Sequence, residues 1–135
     1  MNRGALIHRH FREGRAVPFA WDGLNDCLGW ASRVVEDITG FDPFADLKNR
    51  YTTQTGAHRV MAQEGWATMA EVIRSFLPNE ERPPSEAVVG DIAVIANPDG
   101  TESIGIFAGA TIAAKTMEGM GQVPRSRAIA AFRVA

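Results

Sequence analysis

The chain has 135 residues, which is enough for one domain with a substantial buried core. Its hydrophobic content of 45% and charged content of 22% are ordinary for a soluble globular protein. A formal charge of -2 gives no electrostatic reason to expect nucleic acid or an anionic membrane as a partner. The single cysteine cannot form an intrachain disulfide, so the fold does not depend on oxidising conditions.

The N-terminal stretch MNRGALIHRHFREG has neither the apolar segment nor the cleavage pattern of a signal peptide. No window of the sequence approaches the roughly 18 apolar residues that a membrane-spanning helix needs. We therefore expect no Sec export and no membrane insertion.

The first half of the chain has the periodicity of helices. Apolar residues three and four apart in LNDCLGWASRVVEDITG predict a helix with Asn25 or Asp22 as its N-cap and Gly40 at its end. Asp42 before Pro43 predicts the start of a short helix. Two more helices are expected around TGAHRVMAQEG and TMAEVIRSFL.

A proline- and glutamate-rich stretch, LPNEERPPSE, separates this half from a second one with period-two patterning. VVGDIAVIAN predicts a strand, PDG a tight turn, TESIGIFAG the hairpin partner, and TIAAKTMEG and AIAAFRVA two further strands. We therefore predict one α+β domain, 1–135, with a helical part at 1–77, a link at 78–86, and an antiparallel sheet of about four strands at 87–135.

The single cysteine, Cys27, opens the first predicted helix. Backbone N–H groups and the helix dipole favour a thiolate there, whereas the negative charge of Asp26 disfavours it. Free cysteines are also among the most buried residue types, so a small core side chain is the alternative. The glycine-rich MEGMGQ lacks the Lys-Ser/Thr ending of a phosphate loop and does not open a helix.

Three sequence blocks resemble the NlpC-type papain-like cysteine peptidases, which cut peptidoglycan stem peptides. PFAWDGLNDCLGW resembles the nucleophile motif of that family, VVGDIAVI its Gly-Asp strand start, and SIGIFAG its Gly-Ile-aromatic hairpin. The blocks occur in the family's order and cover roughly residues 17–116. The resemblance implies a papain-like fold with the helices packed on the sheet and with Cys27 as the nucleophile.

The same motifs supply candidate binding residues. Phe19 and Trp21 beside Cys27 would suit a groove that binds a peptide or glycan chain. Asp26 and Asp91 are the polar members of two motif matches, with a helix-terminal charge and a strand-start anchor as their alternative roles.

The sequence departs from the family where the catalytic base belongs. The base position, two residues before the Gly of the hairpin motif, holds Ser103, and the third polar position falls at Lys115. Neither serine nor a protonated lysine reproduces an oriented histidine. The resemblance places Ser103 so that it projects toward the N-terminal end of the Cys27 helix.

The histidines offer substitutes for the missing base only from unexpected positions. His58 lies in a predicted helix, and His8 and His10 lie on the short N-terminal segment at a spacing that does not share a helix face. Three scattered histidines and one cysteine match no usual zinc spacing, and we expect no metal and no cofactor.

Within the superfamily the chain resembles a short branch found in phages and proteobacterial prophages, on the features TGFDP, Arg50-Tyr51 and Gly56. The resemblance implies a tail-tip component of a phage or gene-transfer-agent-like particle, assembled into the virion tail in the bacterial cytoplasm. Its expected partners are other tail-tip or hub proteins and peptidoglycan, not nucleic acid.

Three functions remain open at the level of sequence. The first is a catalytically degenerate domain, a pseudoenzyme that acts in structure or in binding. The second is an active cell-wall peptidase whose base comes from an unexpected position or a neighbouring chain. The third is a small thiol enzyme or redox sensor that uses Cys27 alone, although no second cysteine is present to resolve an oxidised thiol.

Overall fold

The computed structural model describes residues 2–135, in which helices precede a sheet. The helices are α1 (Arg3–Arg15), α2 (Cys27–Thr39), α3 (Ala45–Lys48), α4 (Gln54–Glu64) and α5 (Met69–Phe76). The strands are β1 (Glu81–Arg82), β2 (Ile92–Ala96), β3 (Glu102–Phe107), β4 (Thr111–Thr116), β5 (Gly119–Pro124) and β6 (Ala128–Phe132). Short 3-10 turns lie at Pro84–Glu86 and Arg125–Arg127.

All the strands pair antiparallel, in the order β1-β6-β2-β3-β4-β5. The predicted α+β class is confirmed, but the prediction of about four strands is wrong, because six strands form within residues 2–135. The additional strands are β1, which has two residues and lies in the proline-rich link, and β5, which lies in the glycine-rich stretch. Both form by pairing with a neighbouring strand rather than through a strong apolar pattern of their own.

The two faces of the sheet are buried in different ways. On one face, Ile104 and Ile106 pack in a large apolar cluster with Val34 and Val35 of α2. The opposite face carries a smaller cluster of alternate residues, with Ile95 and Phe107 among them. This alternation follows from the period of two in a strand. Below, we call these surfaces the helix face and the far face.

Capping fixes the ends of α2. Asp26, rather than Asn25 or Asp22, is the N-cap, and its side chain accepts a hydrogen bond from the Gly29 N–H. Gly40 ends the helix in the left-handed conformation, as predicted. The start of α2 therefore lies directly at Cys27.

The short helix predicted at Asp42-Pro43 forms three residues later, as α3. The Asp42 side chain instead accepts a hydrogen bond from the Phe44 N–H. Among residues 2–135, no helix has the length and apolar character to cross a bilayer.

Candidate functional site

Asp26 is the polar anchor of the turn that precedes Cys27. Its Oδ1 accepts from the Gly29 N–H at 2.7 Å, and its Oδ2 accepts from the Gly23 N–H at 3.1 Å and the Tyr51 hydroxyl at 2.6 Å. The residue is 1% exposed. With three donors around it, the carboxylate holds the turn and Tyr51 against the first turn of α2.

Tyr51 is the residue of this network to which sequence reasoning gave no site role. Burial raises the pKa of its hydroxyl, and the charge of Asp26 and the hydrogen bond to it raise this pKa further. The phenol therefore stays a protonated donor. Tyr51 lies 25 positions from Asp26 in the sequence, so no local pattern could have indicated the pairing.

Cys27 is a partly buried thiol that packs beside the main core. Burial raises its pKa to about 11, and the neighbouring Asp26 charge adds to the rise. The backbone N–H groups of Ile104, Leu28 and Cys27 itself act in the opposite direction, toward the thiolate. Burial outweighs these donors, and the thiol is neutral at neutral pH.

The Ile104 N–H, which favours the thiolate, is not paired with β4, because β3 and β4 separate beside it. Their pairing is confined to Ile106 with Ala113 and Phe107 with Ile112. The backbone groups of Phe107 form hydrogen bonds with Gly90 and Asp91, on the side of β3 where β2 lies. Backbone groups along a strand point alternately to its two neighbours, so those of Ile104, three residues earlier, point toward β4. The first turn of α2 thus faces a length of β3 that β4 does not cover.

Ser103 occupies the far face of the sheet. It pairs with Ile95, which belongs to the far-face cluster, and its hydroxyl accepts a hydrogen bond from Asn97 Nδ2 at 2.8 Å. Its neighbour Ile104 points into the helix-face core. The expectation that Ser103 projects toward the Cys27 helix is therefore not met, because strand alternation turns its side chain to the other side of β3.

Lys115 lies on the helix face, at the position that the family resemblance assigns to the third polar residue. It is 1% exposed, and its Nζ donates to the Gly14 carbonyl at the C-terminal end of α1, at 3.2 Å. Burial lowers the pKa of the ammonium, and the positive charge of Arg33 lowers it further. Lys115 thus joins β4 to α1.

The three histidines have other neighbours. His10 Nε2 lies 2.5 Å from Asp37 Oδ2, between α1 and α2. His58 stacks edge-on against Trp21, with 6.1 Å between ring centroids. His8 lines a groove between α1 and the sheet.

Phe19 and Trp21 form an aromatic series with His58. Their rings meet edge-on at a centroid distance of 5.3 Å. The Trp21 indole N–H is buried and has no hydrogen-bond partner among residues 2–135. The binding of a peptide or glycan chain by these rings stays a prediction.

Asp91 is an anchor at the start of β2. It is 3% exposed, and its Oδ2 accepts from the Val88 N–H at 3.0 Å. Its Oδ1 is buried without a partner within the described chain. Asp91 supports the turn before β2, where its backbone carbonyl also accepts from the Phe107 N–H at the end of β3.

A cavity of about 310 Å³ lies between the turn before α2 and the region of α3. It is lined by Asp22, Gly23, Leu24, Asp42, Ala45, Lys48 and Asn49. None of the predicted site residues lines it. Within residues 2–135, no group of three or more His, Cys, Asp or Glu side chains could hold a metal ion.

The fold is NlpC/p60-like: helices pack on an antiparallel sheet, and Cys27 is the first residue of the helix α2. The chain matches the NlpC/p60 domain of the peptidoglycan hydrolase SagA with a TM-score of 0.55 and 18% sequence identity, over 98% of this chain and 99% of that chain. At this identity the likeness shows the fold alone.

Residues 3–134 match the family described as a domain of unknown function, DUF6950, and the chain belongs to this family. No curated protein matches it.

Proposed function

We propose that this NlpC/p60-like domain has no peptidase activity and acts as a binding or structural component, in keeping with a place at the tip of a phage or gene-transfer-agent-like tail. The observation that carries the proposal is the environment of Cys27. Its thiol is neutral, with a pKa of about 11, and the polar groups that shift this pKa are backbone N–H groups and the Asp26 carboxylate. The Tyr51 hydroxyl is also near the thiol, but it stays protonated and donates to Asp26.

The chemistry of a cysteine peptidase needs two proton transfers that these neighbours do not provide. A base must take the thiol proton, and the same group must later protonate the leaving amine. Backbone N–H groups cannot accept a proton, and the Asp26 carboxylate is already occupied by three donors. The side chains at the two family positions, Ser103 and Lys115, are engaged with Asn97 and Gly14.

An active stem-peptide hydrolase remains the alternative, because Cys27 keeps its place at a helix N-terminus beside the Ile104 N–H. Such a site could stabilise an oxyanion even without a conventional base. The two functions differ in whether peptide cleavage depends on Cys27.

The test is cleavage of purified peptidoglycan stem peptides, followed by mass spectrometry, with an active NlpC/p60 domain as the positive control. We expect no cleavage by the wild type or by Cys27→Ala. Ser103→His should also stay inactive, because position 103 faces away from α2. Turnover by the wild type that Cys27→Ala abolishes would overturn the proposal.

The tail-tip assignment has a separate test. Antibodies against the chain should label one end of the tails in particle preparations from the producing cells, and Cys27→Ala should leave tail assembly unchanged. Particles that lack the chain would refute the assignment without bearing on the chemistry of Cys27.

A further inference from the structure

The two edges of the sheet differ in how they are protected. The edge strand β1 has only two residues, Glu81 and Arg82, both charged. The other edge, β5, has six residues, GMGQVP, with no charged side chain and a single proline at its end. Short strands and charges block pairing with another chain, so β1 is a closed edge and β5 an open one.

The register shows which backbone groups of β5 face outward. Thr111 of β4 accepts from the Ala108 N–H on the β3 side, at 2.8 Å, and it pairs with Pro124 of β5. Because an antiparallel ladder alternates, Gln122 and Met120 lie at the same kind of position as Pro124, with their backbone N–H and C=O groups turned away from β4. No other hydrogen bond within residues 2–135 uses these groups.

A groove runs beside this edge on the helix face. A cavity of about 210 Å³ separates α1 from the sheet, and its walls are Gly4, Ile7, His8, Phe11, Ala108, Thr111, Ala113 and Gln122. Gln122 belongs to both the open edge and the cavity. A strand added along β5 would therefore direct the side chain opposite Gln122 toward a partly apolar pocket.

The flank of α1 that carries His8, which lines the cavity, is cationic. Arg12 and Arg15 share this flank with His8, at spacings of three and four residues, whereas Arg9 and His10 face Asp37 of α2. Arg12 and Arg15 are exposed and form no ion pair or hydrogen bond within the described chain. The exposed flank of α1 next to the groove thus carries two positive charges without a partner in the described chain.

We propose that the open edge of β5 and the adjoining groove bind an extended acidic peptide segment of a partner protein. The segment adds a seventh strand to the sheet, places an aliphatic side chain in the cavity opposite Gln122, and sets a carboxylate beside Arg12 and Arg15. This inference rests on the proposed binding role, for which it supplies the surface, and it does not involve Cys27.

The probe is acetyl-Val-Thr-Leu-Thr-Glu-Thr-amide, which in antiparallel pairing puts its Leu opposite Gln122 and its Glu opposite Met120. The measurement is amide hydrogen exchange and shift titration by NMR on the full chain. The N–H groups of Met120 and Gln122 should exchange rapidly in the free protein and become protected, with saturation, as the probe binds.

Two protein variants separate the backbone and charge contributions. Gln122→Pro removes an outward backbone donor and leaves the backbone bonds to β4 in place, while it also removes the side-chain bond from the Thr111 hydroxyl; it should weaken binding about tenfold. Gly121→Ala is the matched control, because a Cβ there meets nothing within 4 Å, and it should bind as the wild type does. Arg12→Glu should weaken binding of the probe about threefold and strengthen binding of the same peptide with Lys in place of Glu.

Several outcomes would overturn the inference. The first is that the probe does not protect the N–H groups of Met120 and Gln122. The second is that the Glu and Lys peptides bind equally well. The third is that protection rises with protein concentration in the absence of the probe, which would indicate a second copy at the edge. An anionic oligosaccharide that shifts Arg12 and Arg15 without protecting the edge amides, while the probe does not bind, would also overturn it. Stem-peptide cleavage would refute the proposed function and leave this test unaffected.

Discussion

Cys27 combines a position that favours a thiolate with surroundings that oppose one. Three backbone N–H groups at the start of α2 and on β3 act to lower the pKa of the thiol. Burial and the adjacent Asp26 raise it more, to about 11. Asp26 cannot be removed from this balance without loss of the N-cap, since the same carboxylate caps α2 and holds Tyr51. Local structure and thiol reactivity are therefore opposed at this residue.

This balance predicts slow alkylation of the native thiol. At pH 8, a pKa of about 11 leaves Cys27 roughly two hundredfold less ionised than a thiol with the ordinary pKa of about 8.5. Iodoacetamide should therefore label the native chain slowly, with a rate that rises up to about pH 11, and label the urea-unfolded chain with an ordinary profile. The unlabelled Cys27→Ala variant is the blank. A native rate that levels off near pH 8 would contradict this electrostatic account.

At the scale of elements, the bond between Asp26 and Tyr51 connects the start of α2 to the segment that leads into α4. The turn before α2 is also closely packed against the start of the helix. A Cβ on Gly29 would lie 2.6 Å from the Gly23 carbonyl oxygen, because this turn packs directly on the first turn of the helix. The network thus fixes where α2 begins and therefore where Cys27 sits.

Tyr51→Phe tests this connection. The substitution leaves the buried Asp26 Oδ2 with the Gly23 N–H as its remaining donor, so we expect a loss of about 1–3 kcal/mol in the free energy of unfolding. Urea denaturation measures it. In a double-mutant cycle with Asp26→Ala, the two losses should be less than additive, because both substitutions remove the same hydrogen bond. Full additivity would show that the hydroxyl and the carboxylate act independently.

The elements with strong periodicity were predictable from the sequence, and those formed by distant pairing were not. The apolar stripe of α2 and the alternation of residues in β2 and β3 predict a helix and two strands from the local sequence alone. In contrast, α1 buries only Ile7, His10 and Gly14, and its arginines obscure the stripe. The pattern of β5 is equally weak, and this strand exists because β4 supplies its hydrogen bonds.

The candidate site divides along the same line. The place of Cys27 and Asp26 at the start of a helix follows from local sequence. The direction of Ser103 depends on which face of β3 the helices cover, and that is a property of the whole fold. The Tyr51 contact and the Lys115 bond to Gly14 span 25 and 101 positions, respectively, so no motif spacing could have given them.

At the scale of the whole molecule, the buried ammonium of Lys115 links β4 of the sheet to α1 through its hydrogen bond to Gly14. It lies at the position where the family resemblance places a site residue. A buried ammonium carries a desolvation cost that one hydrogen bond to a carbonyl offsets only in part. The Gly14 carbonyl also accepts from the Val17 N–H at 3.4 Å, so it keeps a partner without the lysine. Lys115 is therefore a position where an apolar side chain should be tolerated.

We accordingly expect Lys115→Met to leave the free energy of unfolding at pH 7 unchanged or to raise it, as measured by urea denaturation. The pKa of Lys115 is lowered in the folded chain, whereas an unfolded chain has the ordinary lysine pKa of about 10.4. Between these two pKa values the unfolded chain binds more protons than the folded chain, so the free energy of unfolding of the wild type rises with pH. The advantage of the Met variant should thus shrink toward alkaline pH. Lys48→Met is the matched control, because it leaves the partly buried Asp42 without its ion-pair partner at 2.5 Å and should destabilise the chain. A Lys115→Met variant that loses as much stability as Lys48→Met would show instead that the ammonium is needed to join α1 to the sheet.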